Sequence, residues 1–136
     1  MNLMEREIGE FAKVHNEIDG VFLFGSAATG NTHEGSDVDI AILIGNGEGN
    51  TESMRLAMAY SIELEDLLHE KVDVVILNAA SPLLRHQVFK KGRLVFARDS
   101  RRVRRFIGDA VVEYLDEIVL IERLQKRSIR RLTGGR

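Results

Sequence analysis

The sequence predicts a mixed α/β (α+β) fold: a three- to four-stranded mixed sheet with helices packed mainly on one face. Three observations lead there. Short, largely apolar runs of strand length occur at Val21–Phe24, which glycines bound, at Asp37–Ile44, which alternates, and at Val72–Leu77, which is β-branched. Stretches with helical apolar spacing alternate with them. The chain of 136 residues is long enough for one core and too short for two, so residues 1–136 are expected to form a single domain.

The elements follow in order. Leu3, Ile8, Phe11, Ala12 and Ile18 recur at helical spacing and predict a first helix that Asp19-Gly20 ends. Val21–Phe24 is a buried strand, and Gly25-Ser26 lies at its exit. Ala27–Ser36 reads as a helical turn plus loop, after which Asp37–Ile44 is a second strand with Val38, Ile40, Ile42 and Ile44 on one side. Beyond the glycine-rich segment 45–50, Thr51 or Ser53 is expected to cap a helix running to about Glu70. Val72–Leu77 is a third strand, and Ser81-Pro82 opens a helix that stops near Gly92. Arg93–Ala97 is a small edge strand. Residues 100–132 form a basic helical segment, expected to break or bend near Gly108, and Thr133–Arg136 to fray.

Composition narrows the function. With no cysteine there is neither a disulfide framework nor a thiolate metal site nor a cysteine nucleophile. The N-terminus is charged where a signal peptide needs an apolar run, and no stretch approaches a membrane span, so a cytoplasmic location and no membrane partner are expected. The net charge of −2 conceals −11 over residues 1–80 and +9 over residues 81–136, a pattern suited to an ionic partner surface. Direct nucleic-acid binding is not expected: Arg101, Arg102, Arg104 and Arg105 form a basic cluster without interleaved aromatic residues.

The chemistry concentrates in Gly25-Ser26, ten intervening residues, then Asp37-Val38-Asp39. Two residues apart on a strand, Asp37 and Asp39 leave the same face, where mutual repulsion is costly unless a cation lies between them. Magnesium is the natural cation, because it takes one or two carboxylates and completes its shell with water and phosphate. Gly25 lets backbone approach a ligand, and Ser26 offers a hydroxyl beside amide donors. Asp73 interrupts an apolar strand and is expensive to bury unpaired. If its strand lies beside the Asp37–Ile44 strand, the three carboxylates share a face, the arrangement that metal-assisted phosphoryl and nucleotidyl transfer requires. Arg85 is a further candidate, for neutralising a triphosphate. Gly45, Gly47 and Gly49 miss the dinucleotide fingerprint, since Asn50 stands where it needs glycine. Tyr60 and Tyr114 read as packing residues, and His33 as a solvated loop residue.

This constellation, with Ser36 before Asp37 and Ile40 after Asp39, resembles the minimal nucleotidyltransferases of the DNA polymerase β superfamily, the antitoxin partners of HEPN-domain toxins. The resemblance covers nearly the whole chain. It implies a polymerase-β-like nucleotidyltransferase fold, with Asp37, Asp39 and Asp73 as catalytic, magnesium-binding carboxylates and Gly25 and Ser26 at the ATP triphosphate. It also implies AMP transfer from ATP to a tyrosine of a HEPN-domain RNase toxin, with release of pyrophosphate. Two alternatives stand beside it: a binding-only antitoxin with a vestigial nucleotide site, and transfer to a small-molecule hydroxyl. Homo-oligomerisation is left open.

Overall fold

The computed structural model describes residues 2–25, 37–45 and 50–132. Its elements are α1 (Leu3–Val14), β1 (Ile18–Phe24), β2 (Val38–Ile44), α2 (Asn50–Leu68), β3 (Val72–Ile76), a 3-10 turn (Leu77–Ala79), α3 (Pro82–Lys91), β4 (Arg93–Ala97) and α4 (Ser100–Leu132). The four strands form one mixed sheet in the order β3-β2-β1-β4. β1 pairs antiparallel with β2 and with β4, while β2 and β3 are parallel, joined by the crossover through α2.

Strand alternation divides the core. Val21, Leu23, Val38, Ile40, Ile42, Ile44, Val72, Val74 and Ile76 point to one face, where Ile8, Phe11 and Ala12 of α1 and Tyr60 and Leu64 of α2 complete the larger cluster. The sequence puts the helices mainly on one face; α1 and α2 cover this one, and α3 and α4 cover the other. Phe22, Ala41 and Leu43 point the other way and meet Leu77, Val88 of α3 and Val103 of α4 in a smaller cluster. At the centre of that face Gly20 admits α4 closely, since a Cβ there would stand 3.1 Å from Val103 Cγ2.

Local signals set most boundaries. The Asn2 side chain caps α1 by accepting from the Glu5 amide at 2.8 Å. Ser81 caps α3, with Pro82 in its first turn, and Gly92 closes it. Three boundaries differ from the sequence expectation. α1 ends at Val14, and Ile18, Asp19 and Gly20 belong to β1, whose register shifts between Ile18 and Gly20. The helix is closed from outside by Arg98, whose guanidinium donates to the carbonyls of Ala12 (2.7 Å), His15 (3.2 Å) and Ile18 (3.0 Å). Secondly, α2 begins at Asn50, so Thr51 and Ser53 lie inside it. Thirdly, α4 runs through Gly108 without a break. A glycine costs a helix interior about 1 kcal/mol, and the burial of Val103 and Ala110 on either side holds the turn. Among the described residues no helix is long and apolar enough to cross a membrane. Ser26, His33, Ser36, Gly47, Gly49 and Thr133–Arg136, all named in the sequence reading, lie outside the described residues.

Candidate active site

Register brings the carboxylates together. Asp39 is the second residue of β2 and Asp73 the second of β3, and in the parallel ladder they are direct partners. Neighbouring strands lie about 4.8 Å apart, so the two side chains leave the same face side by side. Asp37 precedes β2 on that side. On the other flank Asp39 faces Phe24, the last residue of β1, which Gly25 follows. The site therefore sits where β1 ends and β2 and β3 begin, on the face that carries the smaller core cluster.

Gly25 is fitted to this position in two ways. Its φ is +66°, a left-handed conformation that costs other residues about 1 kcal/mol or more. A Cβ there would also run into the Asp39 carboxylate.

The electrostatics are those of crowded anions. Asp37 and Asp73 are exposed and Asp39 is half-buried. Burial, then the charge of Asp73, then that of Asp37, raise the Asp39 carboxyl above its ordinary value. None of the three forms an ion pair with a described residue. A cation would relieve that repulsion, so the donor set fits a hard divalent ion. Among the described residues no three His, Asp or Glu side chains are placed to enclose an ion by themselves.

Arg85 is not brought to this place. Its guanidinium donates to the carbonyls of Leu77 and Asn78, both at 2.8 Å, and pairs with Glu113 of α4 at 2.9 Å. It also stands over the Phe106 ring, 5.1 Å from the centroid. Leu77 and Asn78 follow the C-terminal end of β3, whereas Asp73 lies at its start. The basic charge that suggested a phosphate contact instead satisfies the carbonyls of the 3-10 turn, which sequence spacing does not reveal. Arg85→Ala is accordingly expected to lower stability by about 2 kcal/mol, the scale of lost charged hydrogen bonds, and to leave the affinity for an ATP analogue unchanged. Urea titration and calorimetry check the two halves; a large loss of nucleotide affinity in a folded variant would return Arg85 to the site.

The tyrosines are packing residues, as the sequence predicts. Tyr60 is buried and donates to Glu17 at 2.6 Å, so burial and that bond hold its hydroxyl proton well above the usual range. Tyr114 stacks on His86 at 3.9 Å.

Comparison with known proteins agrees with this geometry. Over 73 residues, 54% of this chain, the sequence is 37% identical to the protein adenylyltransferase MntA of Shewanella oneidensis, and the match spans 50% of that protein's length. The chain also resembles solved structures along most of its length. One is the complex of a tri-AMPylated Shewanella oneidensis HEPN toxin with its MNT antitoxin, at 23% identity and a TM-score of 0.68, covering 93% of this chain and 97% of the other. Another is a toxin-antitoxin pair with AMP-PNP, at 26% identity and a TM-score of 0.61, covering 96% and 95%. Residues 6–101, which contain both ends of the carboxylate cluster and every strand of the sheet, match the family described as Polymerase beta, Nucleotidyltransferase, and the chain belongs to that family.

Proposed function

We propose that this chain is a magnesium-dependent protein adenylyltransferase and an antitoxin, moving AMP from ATP to a tyrosine hydroxyl of a HEPN-domain toxin. The observation that carries the reading is the pairing of Asp39 with Asp73 beside Asp37, three carboxylates on one face that form no ion pair with a described residue. The likeness to an adenylyltransferase and to toxin-antitoxin complexes supports the choice of donor and partner.

In this reading Asp37 and Asp39 hold magnesium, which when bound neutralises phosphate charge and sharpens the acceptor hydroxyl. Gly25 keeps the β1 exit clear of side-chain atoms so that the triphosphate can approach backbone, and Ser26, next in sequence, contacts it. Asp73 takes the proton as the tyrosine oxygen forms its bond to the α-phosphorus, and the bond to pyrophosphate breaks.

The test uses the purified chain, α-labelled ATP, magnesium and a HEPN-domain toxin. Label on the partner that disappears when its tyrosines become phenylalanine supports the proposal. Silencing of the toxin without label transfer would mean that the chain works by covering its partner, and would overturn it. Asp73 gives a sharper expectation. Asp73→Asn should bind magnesium and a non-hydrolysable ATP analogue within about threefold of the parent, while transfer slows by 10²–10⁴, on the order of a lost general base. Calorimetric titration beside single-turnover kinetics decides it. Loss of affinity in step with turnover would make Asp73 a primary metal ligand.

A further inference from the structure

With Arg85 engaged elsewhere, the proposed nucleotide still calls for a protein cation, since three carboxylates and a triphosphate together carry more negative charge than one or two divalent ions offset. Several other arginines are engaged too. Arg93 pairs with Glu5, Arg98 holds the carbonyls at the end of α1, and Arg102 meets Asp19 and Asp99. Lys90 and Lys91, in the last turn of α3, form no ion pair with a described residue.

α3 crosses the site's face of the sheet from one end to the other. It starts beyond the C-terminal end of β3, where Arg85 holds the carbonyls of Leu77 and Asn78, and midway Val88 packs with Phe22, Ala41 and Leu43. It finishes against the exit of β1: a Cβ on Gly92 would stand 2.9 Å from the Leu23 carbonyl oxygen and 3.4 Å from Phe24 Cβ. Phe24 in turn faces Asp39 across the ladder. The last turn of α3 therefore lies at the end of the sheet where the carboxylates gather, with β1 between it and Asp39 and only about 4.8 Å from strand to strand.

Helical periodicity decides which lysine looks towards them. Arg85, His86 and Phe89 meet Glu113, Tyr114 and Phe106 of α4 and so mark one flank of α3. With Val88 turned to the sheet, Leu84, Gln87 and Lys91 fall on the opposite flank, and Lys90 points away from the sheet. Leu84 confirms the direction of that flank, because it borders a groove with Val74 and Val75 of β3. The flank overlooks β2 and β3, and at its site end stands Lys91, exposed, with three donors on a flexible four-carbon stem. Lys71 is differently placed: it precedes β3, the edge strand on the far side of β2 from the β1 exit.

We infer that Lys91 binds the β- and γ-phosphates of the nucleotide and steadies pyrophosphate as it leaves. The inference rests on the adenylyltransferase reading. Gly25 and Ser26 meet the triphosphate at the β1 exit, and Lys91 reaches it from the adjoining end of α3, which leaves Asp73 open to the acceptor. Lys91 exchanges no proton: as the bond from the α-phosphorus to the bridging oxygen breaks, negative charge grows on pyrophosphate, and the ammonium offsets it as a point charge.

Equilibrium binding and single-turnover transfer with the full chain test it. Lys91→Ala is expected to bind a non-hydrolysable ATP analogue and inorganic triphosphate, each with magnesium, on the order of tenfold more weakly, the scale of one charge-assisted hydrogen bond. It should bind AMP as tightly as the parent, and transfer to a HEPN-domain toxin should be slower even at saturating ATP. Lys90→Ala removes the same charge one position earlier and should match the parent throughout. Parent-like affinity of Lys91→Ala for both polyphosphates overturns the inference and, where the parent transfers AMP, leaves the adenylyltransferase reading intact. Equal losses in Lys90→Ala overturn it too, because the effect would then be one of diffuse charge, as does an equal loss for AMP. A parent chain that binds no nucleotide with magnesium overturns the adenylyltransferase reading and this inference with it.

Discussion

Asp39→Asn is expected to abolish AMP transfer, by 10²–10³-fold or more on the scale of a lost transition-state electrostatic contact, while making the metal-free protein more stable at neutral pH. The two effects have one origin. Asp39 is half-buried beside Asp73, its ladder partner, with Asp37 two residues before it. Burial first, then these charges, raise its carboxyl above the ordinary value. A folded-state pKa above the unfolded one means that the native protein binds the proton more tightly. Stability therefore falls as pH rises through that window, and the penalty stands in full above it. Asparagine carries no charge at any pH, so the variant escapes the penalty at pH 7, and its advantage disappears as pH drops below the unfolded carboxylate's range. Magnesium with nucleotide should reverse the order, stabilising the parent more than the variant, because ligand bound to the native state raises stability by mass action. Thermal melts of both proteins at pH 4 and pH 7, with and without magnesium and an ATP analogue, check the stability half, and label transfer from α-labelled ATP checks the other. A variant that transfers AMP at the parent's rate would remove Asp39 from the metal site. One that melts below the parent at pH 7 without metal would show that Asp39 is not electrostatically strained.

How much of this was legible in the sequence depends on how local each cause is. The carboxylates were legible because a strand's period of two fixes the side from which Asp37 and Asp39 leave, and because an aspartate inside Val72–Leu77 has few tolerable places. Placing β3 beside β2 then required only a parallel neighbour reached through α2. Caps were equally local: Ser81 before Pro82 and Gly92 after Lys91 mark the ends of α3 from neighbouring residues alone. The misplaced boundaries have distant causes. Ile18 fits a helical stripe as well as a strand, and what decides is Arg98, eighty residues on, whose guanidinium takes the carbonyls of Ala12, His15 and Ile18. Arg85 is the same case at the site. Its sequence neighbours, His86, Lys90 and Lys91, make a basic patch, but the carbonyls of Leu77 and Asn78 and the carboxylate of Glu113 that engage it belong to other elements. A charged side chain's partner is set by tertiary structure, and periodicity says nothing of it. The continuous α4 shows the limit of propensity, since an exposed glycine within a helix of 33 residues costs too little to break it.

The second large effect is expected at a residue with no side chain. Gly25→Ala should cut AMP transfer on the order of 10²-fold, the cost of displacing a reacting group by about an ångström, and lower stability by about 1 kcal/mol through the left-handed conformation. The added methyl group would collide with the Asp39 carboxylate. One of the two must move, and neither has somewhere neutral to go. Asp39 is fixed by ladder partners on both sides, Phe24 in β1 and Asp73 in β3, so its backbone cannot retreat and its carboxylate must rotate towards Asp73. That brings like charges together and takes the oxygen proposed to hold magnesium away from the β1 exit. Alternatively Gly25 could abandon its φ of +66°, which would redirect the chain where it leaves β1 and enters the segment containing Ser26. Either route spoils the juxtaposition of carboxylate and phosphate cradle, and ATP-analogue affinity separates them. Rotation of Asp39 weakens binding in a magnesium-dependent way, while redirection of the chain weakens it with or without the ion. Combining the change with Asp39→Asn gives the decisive measurement. If the methyl acts through Asp39, the double variant loses no further activity or affinity beyond Asp39→Asn alone, as coupled neighbours require. Fully additive losses would show that Gly25 serves only the backbone, and a Gly25→Ala protein with the parent's transfer rate would separate the β1 exit from the catalytic site.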